Sequence, residues 1–123
     1  MSIFKKLFGG EPKPGKPIVI SDESFESEVL GSEIPVALDF WSSTCAPCQV
    51  MGGLLDEIGP EYVGKVMIGK LRVDQNPETS GRFAVQSVPT LILFNKGKEI
   101  HRQVGLLPLN PLRQLFDKLA DLD

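Results

Sequence analysis

Residues 36–41 read Val-Ala-Leu-Asp-Phe-Trp, an apolar run broken once by a charge. Such a run predicts a buried strand, which Pro35 opens. After Cys48, Val50, Met51, Leu54, Leu55 and Ile58 recur at spacings of three and four, predicting a helix to about residue 62. Gly52 and Gly53 interrupt it, cost about 1 kcal/mol each against alanine, and favour a bend. Upstream, residues 17–20 predict a short strand. Ser21 or Asp22 then caps a helix to about Leu30, with Phe25, Val29 and Leu30 as its stripe and Gly31 as its C-terminal glycine. Residues 66–74 alternate loosely and predict a strand containing Lys70. Asn76-Pro77 marks a turn, and 78–83 a short helix. Residues 88–94 predict a strand opening with Pro89, and 95–98 a turn. Residues 99–104 return antiparallel and end at Gly105. Asn110-Pro111 signals a capped helix start, with Leu112, Leu115, Phe116 and Leu119 on the buried face. The order β-α-β-α-β-α-β-β-α, without internal repeats, predicts an α/β fold whose mixed sheet carries helices on both faces.

The first 17 residues stand outside this pattern. Residues 11–17 hold three prolines and a glycine, a linker composition, so the folded domain is expected over 18–123. Residues 1–10 have two lysines but no apolar h-region or A-x-A site, which makes a poor signal peptide. Ile3, Phe4, Leu7 and Phe8 share a face if this segment turns helical. A frayed terminus or a docked helical extension is expected, because two lysines over two turns would hold a membrane surface or a partner feebly.

Composition narrows the class. At 123 residues the chain suits one domain that buries roughly two thirds of its unfolded surface. With 41% hydrophobic and 24% charged residues it reads as soluble and globular. A net charge of −3 gives no electrostatic reason to expect nucleic acid. No apolar run approaches the roughly 18 residues of a membrane span. Two cysteines do not make a disulfide-stapled secreted scaffold, and a cytoplasmic monomer is expected.

Those two cysteines carry the chemistry. Cys45-Ala46-Pro47-Cys48 follows the apolar run after Ser42, Ser43 and Thr44. Pro47 suits a first helical turn, so Cys45 is placed where a strand hands over to a helix. Unpaired N–H groups and the positive end of the helix dipole stabilise an anion there, and the thiolate is the reactive form of cysteine. Zinc needs about four ligands, and two thiols with one histidine do not supply them. A structural disulfide closing so small a loop would stabilise little. A reversible dithiol remains, in which Cys45 attacks and Cys48, one turn further in, resolves the mixed disulfide. Asp39 is costly to bury between apolar neighbours, and desolvation would raise its pKa toward that of a proton acceptor for Cys48. The competing reading is a solvent-facing Asp at a strand edge. Lys70 reads either as a neighbour holding Asp39's charge or as a surface lysine. Pro89 is either cis or, by base rate, trans. His101 receives no role.

Asp39-Phe40-Trp41, the C-x-P-C at 45–48, Val73-Asp74-Gln75-Asn76-Pro77, Val88-Pro89-Thr90 and Gly105 fall in the order and spacing of thioredoxins, which the chain resembles from about Ile18 to Leu122. The resemblance implies a thioredoxin fold, a mixed five-stranded sheet flanked by four helices, here with an N-terminal extension. It implies Cys45 as nucleophile, Cys48 as resolving thiol, Asp39 as buried proton-transfer group and Lys70 as its modulator. It implies a cis Pro89 beside the cysteines, with the Val88 backbone pairing to an extended substrate segment. Trp41 would support the active-site loop and Gly105 would leave room for the bound chain. Thr44, Ala46 and Pro47 would complete the substrate contact around Cys45.

Three positions depart from the family. Thr44 stands where it usually carries Trp, and a hydroxyl beside Cys45 could donate to the thiolate and lower its pKa. Ala46 replaces the usual Gly, and Gly53 the usual helix-kinking Pro. The implied activity is reduction of protein disulfides by dithiol–disulfide exchange, with disulfide-containing proteins and a thioredoxin reductase-type enzyme as partners and neither cofactor nor metal. A more oxidising, partner-specific redox protein is the alternative raised by Thr44 and Ala46. A redox-inert binding module is the alternative from another class.

Overall fold

A computed structural model of the chain describes residues 14–122. The expected extension over residues 1–10 lies outside them. Five strands form one sheet in the order β1-β3-β2-β4-β5. They are β1 (Ile18–Val19), β2 (Val36–Trp41), β3 (Met67–Arg72), β4 (Thr90–Asn95) and β5 (Lys98–Val104). β1 and β2 both run parallel to β3, whereas β4 runs antiparallel to β2 and to β5. β2 is therefore central, and its apolar run has the composition of a strand covered on both sides.

Period-two alternation sends β2 to two cores. Ala37 packs with Ile68, Leu91 and Leu93 against Met51, Leu55 and Ile58 of helix α1 (Ala46–Ile58). Leu112, Phe116 and Leu119 of the C-terminal helix close the same core. Val36, Leu38 and Phe40 pack on the other face with Ile20, Phe25, Val29, Leu71, Ile92 and Phe94. There Phe25, Phe83 and Phe94 meet edge to face at centroid distances of 5.3–5.8 Å, the arrangement aromatic quadrupoles favour. Gly69 of β3 belongs to this packing. A Cβ there would stand 2.9 Å from Ile20 and 3.0 Å from Leu38.

The helices differ from the sequence pattern at their ends. The first is a five-residue π-helical segment, Glu26–Leu30. Ser21 does accept the Ser24 N–H, at 3.2 Å. Asp22 instead reaches across to α2 (Pro77–Arg82) and accepts from Thr79 N (2.8 Å), Thr79 Oγ1 (2.6 Å) and Glu78 N (3.2 Å). α1 continues through Gly52 and Gly53 and ends in a 3₁₀ turn, Gly59–Tyr62. The last helix, α3, is Leu109–Ala120, beginning one residue before Asn110 with no side-chain cap. Pro111 still falls in its first turns, where no intrahelical N–H bond is lost. Lys96 and Gly97 both take positive φ (52° and 81°) in the β4–β5 turn, the primed geometry that matches strand twist.

Candidate active site

The site forms where β2 ends and α1 begins. Trp41 closes the strand, residues 42–44 cross over, and Cys45 is the N-cap residue of α1, with extended φ/ψ of −107°/109°. Ala46 and Pro47 form the exposed first turn. Cys45 Sγ accepts the backbone N–H of Cys48 at 3.2 Å, filling the position an N-cap side-chain oxygen normally fills. That hydrogen bond and the local dipole both favour negative charge on this sulfur. Cys45 and Cys48 are joined as a disulfide, with Cα atoms 5.2 Å apart.

The two sulfurs differ in access. Cys45 is half-buried, and Cys48 only 3% exposed. Cys48, Met51 and Leu55 lie three and four residues apart, so Cys48 shares the helix face that packs on Ala37. Asp39 lies two residues beyond Ala37 on that same side of β2. It is 1% exposed, and its Oδ1 has no hydrogen-bond partner. The solvent-facing alternative is thereby excluded. Burial raises its pKa to about 7 against the opposing pull of the Lys70 charge.

Lys70 pairs with Asp39 in the β2–β3 register. Its ammonium stands 5.0 Å from the centre of the Trp41 ring, a cation–π contact. Lys70 therefore acts on Asp39 through its field. Arg72, one pleat further along β3 and opposite Trp41, places its guanidinium 5.9 Å from the same ring. Its Nε–H is shared between the two Asp74 carboxylate oxygens (2.9 and 3.1 Å), and its Nη2 donates to Ser43 Oγ at 3.2 Å.

On the other side stands the segment before β4. The Val88–Pro89 peptide is cis, and the Val88 carbonyl oxygen lies 3.7 Å from Cys45 Sγ. Gly105, at φ +90°, donates its N–H to the Pro89 carbonyl at 2.8 Å. A Cβ there would touch nothing within 4 Å, so glycine serves the backbone conformation and leaves the surface open. Thr44 is exposed at the rim. The fold thus gathers Cys45, Cys48, Asp39, Lys70, Trp41, Val88, Pro89 and Gly105 at one end of the sheet. Ser43 and Arg72 are additional. Arg72 had a signal, because it stands two residues from Lys70 in a strand and so shares its face; Ser43 had none. Among the described residues, no group of three or more His, Cys, Asp or Glu side chains is placed to hold a metal ion.

The thioredoxin family model matches residues 16–118. Curated relatives include thioredoxin from Haemophilus influenzae, 44% identical over 99 residues, covering 80% of this chain and 92% of the relative. Thioredoxin from Synechocystis is 40% identical over 99 residues, with the same coverage of 80% and 92%. Thioredoxin 2 from Chlorobaculum tepidum is 36% identical over 104 residues, covering 85% and 95%. With a half-exposed sulfur at a helix origin, its partner buried one turn in and a buried carboxyl on the adjacent strand, the chain belongs to the thioredoxin family of thiol–disulfide oxidoreductases.

Proposed function

We propose that the protein reduces disulfides of other proteins through the pair Cys45–Cys48. The observation that carries this reading is the asymmetry of the pair: Cys45 sits at the N-cap of α1, accepting an N–H, while Cys48 is buried on the face that carries Asp39. In the reduced protein the Cys45 thiolate attacks one sulfur of a substrate disulfide. A Cys45–substrate bond forms, the substrate S–S bond breaks, and the departing sulfur leaves as a thiolate that takes a proton from water. Cys48 then gives its proton to Asp39 and attacks Cys45 Sγ. The Cys45–Cys48 bond forms and the second substrate sulfur is released. Two electrons pass to the substrate, leaving the disulfide described above.

Asp39 suits the acceptor role because its pKa of about 7 lets it exchange protons near neutrality. Lys70 restrains that rise with its charge, and Trp41 underlies both cations. Val88 presents its carbonyl next to Cys45, so an extended substrate segment can add to that backbone, with Thr44, Ala46, Pro47, Pro89 and Gly105 as its surroundings. Return to the dithiol requires a thioredoxin reductase-type partner, and a reducing compartment such as the cytoplasm fits that cycle. One chain supplies every group, which favours a monomer. No helix among the described residues is long and apolar enough to cross a membrane.

The test uses a disulfide-linked protein and excess small dithiol. The native chain should accelerate reduction over dithiol alone. Cys45→Ser should abolish the acceleration, and Cys48→Ser should accumulate a mixed disulfide through Cys45. Absence of acceleration by the native chain would refute the reading.

A further inference from the structure

We propose that Arg72 and Ser43 form a latch that positions the Cys45 loop, making Arg72 a positioning residue for the thiol exchange. The proposal rests on the reading of Cys45 as the attacking sulfur. The loop of residues 42–44 must hold Cys45 in the N-cap conformation, yet Thr44 is exposed and its neighbours are short polar side chains. Among the described residues, the bond from Arg72 Nη2 to Ser43 Oγ, at 3.2 Å, is the single side-chain hydrogen bond made by residues 42–44. It reaches the loop two residues before the reactive sulfur.

The donor is itself contacted from three sides. Asp74 takes the Nε–H at 2.9 and 3.1 Å, the Trp41 ring lies 5.9 Å from the guanidinium carbon, and the backbone of Arg72 is the last residue of β3. The Arg72 carbonyl also accepts from Asn76 Nδ2 at 3.0 Å, and the Val73 N–H donates to the Trp41 carbonyl at 2.9 Å. The strand end is thus tied to both flanking turns. A planar fork held this way can spend one N–H on Ser43 with little further loss of side-chain freedom. A lysine has the charge but lacks the fork. With Asp74 balancing its charge, the role that remains for Arg72 is geometric: it keeps the 42–44 crossing from drifting relative to Asp39 and Val88, and misplacement of a reacting atom is costly.

The test compares Arg72→Met, Arg72→Lys, Ser43→Ala and the double variant Arg72→Met with Ser43→Ala. Two readouts are taken on each: kcat and KM in the dithiol-coupled disulfide assay, and the pH profile of Cys45 alkylation by iodoacetamide in the reduced chain, located by peptide mass. Arg72→Met and Ser43→Ala should each lower kcat/KM and alter the limiting alkylation rate by about two- to tenfold, the scale of one hydrogen bond. The double variant should be no worse than the singles, because both remove one bond. Arg72→Lys should not rescue, whereas Ser43→Thr, which keeps the hydroxyl, should. Arg113→Met, which breaks the remote pair with Glu61, should leave both readouts unchanged. Full rate in Ser43→Ala, or losses that simply add, would overturn the latch. Alkylation reads the loop without any turnover, so it decides the proposal even if the native chain proves inert as a reductase.

Discussion

Asp39 holds a carboxyl in an almost dry place with one oxygen unpartnered, so the neutral form is favoured and the proton is kept to about pH 7. Unfolded, the same group ionises near 3.8. Between these values the folded state binds the additional proton, so stability falls as pH rises through the window and levels off above it. Asp39→Asn should remove that slope and stabilise the oxidised chain at pH 8 by about 2–4 kcal/mol, since each pKa unit is worth about 1.4 kcal/mol. Urea unfolding at pH 5 and pH 8 measures both quantities. A native chain equally stable at the two values would show that the carboxyl is already ionised at pH 5. The same substitution should slow release of the Cys48-dependent mixed disulfide while leaving formation of that intermediate nearly intact. Here a single buried carboxyl lowers the stability of the fold above neutral pH.

At the scale of elements, the helix ends are governed by partners far along the chain. Asp22 sits before the first helical segment but caps α2, some fifty residues on, with three hydrogen bonds from Thr79 and Glu78. Partial burial alone would raise its pKa; those bonds outweigh it and lower the value. Its contribution is therefore present above the ordinary carboxylate range and is lost as pH falls through its lowered pKa. Asp22→Ala should destabilise by about 1–2 kcal/mol at pH 7, as loss of a helix cap does, and by much less near pH 2. Thermal melts at the two pH values check this. Such a contact is invisible to a local reading, in which Ser21 or Asp22 both serve the helix that follows. The same limit explains Arg72 and Ser43, whose meeting depends on the β2–β3 register. The π-helical turn at Glu26–Leu30 departs from the α-helix that the local pattern predicts, and Phe25 and Val29 are buried there in the second core. By contrast, the apolar run at Val36–Trp41, the Met51-Leu55-Ile58 stripe and the cysteine pair announce themselves locally. Period and spacing alone define them.

At the scale of the whole molecule, the two oxidation states are linked by a cycle. Closing the disulfide in the folded chain and in the unfolded chain differ in free energy by the difference in stability between oxidised and reduced protein. If the fold favours the disulfide, the oxidised form melts higher and the protein gives electrons away readily; if the fold favours the thiolate, the reduced form melts higher and the protein is an oxidant. Two features pull in opposite directions here. The helix origin and the Cys48 N–H stabilise negative charge on Cys45, favouring the reduced form. The buried Cys48 and the buried Asp39, whose Oδ1 has no partner, penalise an ionised dithiol site, favouring the disulfide. Because Cys48 and Asp39 are nearly inaccessible whereas Cys45 is half-exposed and partly screened, the second effect should win. The oxidised chain should therefore melt several degrees above the reduced chain at pH 7. Equilibration with redox buffers should place the pair near the roughly −270 mV of a reductant rather than the roughly −120 mV of an oxidant. Calorimetry of both forms and the redox titration must agree in sign, since about 30 mV corresponds to about 1.4 kcal/mol for two electrons. A reduced form that melts higher, with a potential near the oxidising limit, would place Thr44 and Ala46 in control and make the protein a source of disulfides.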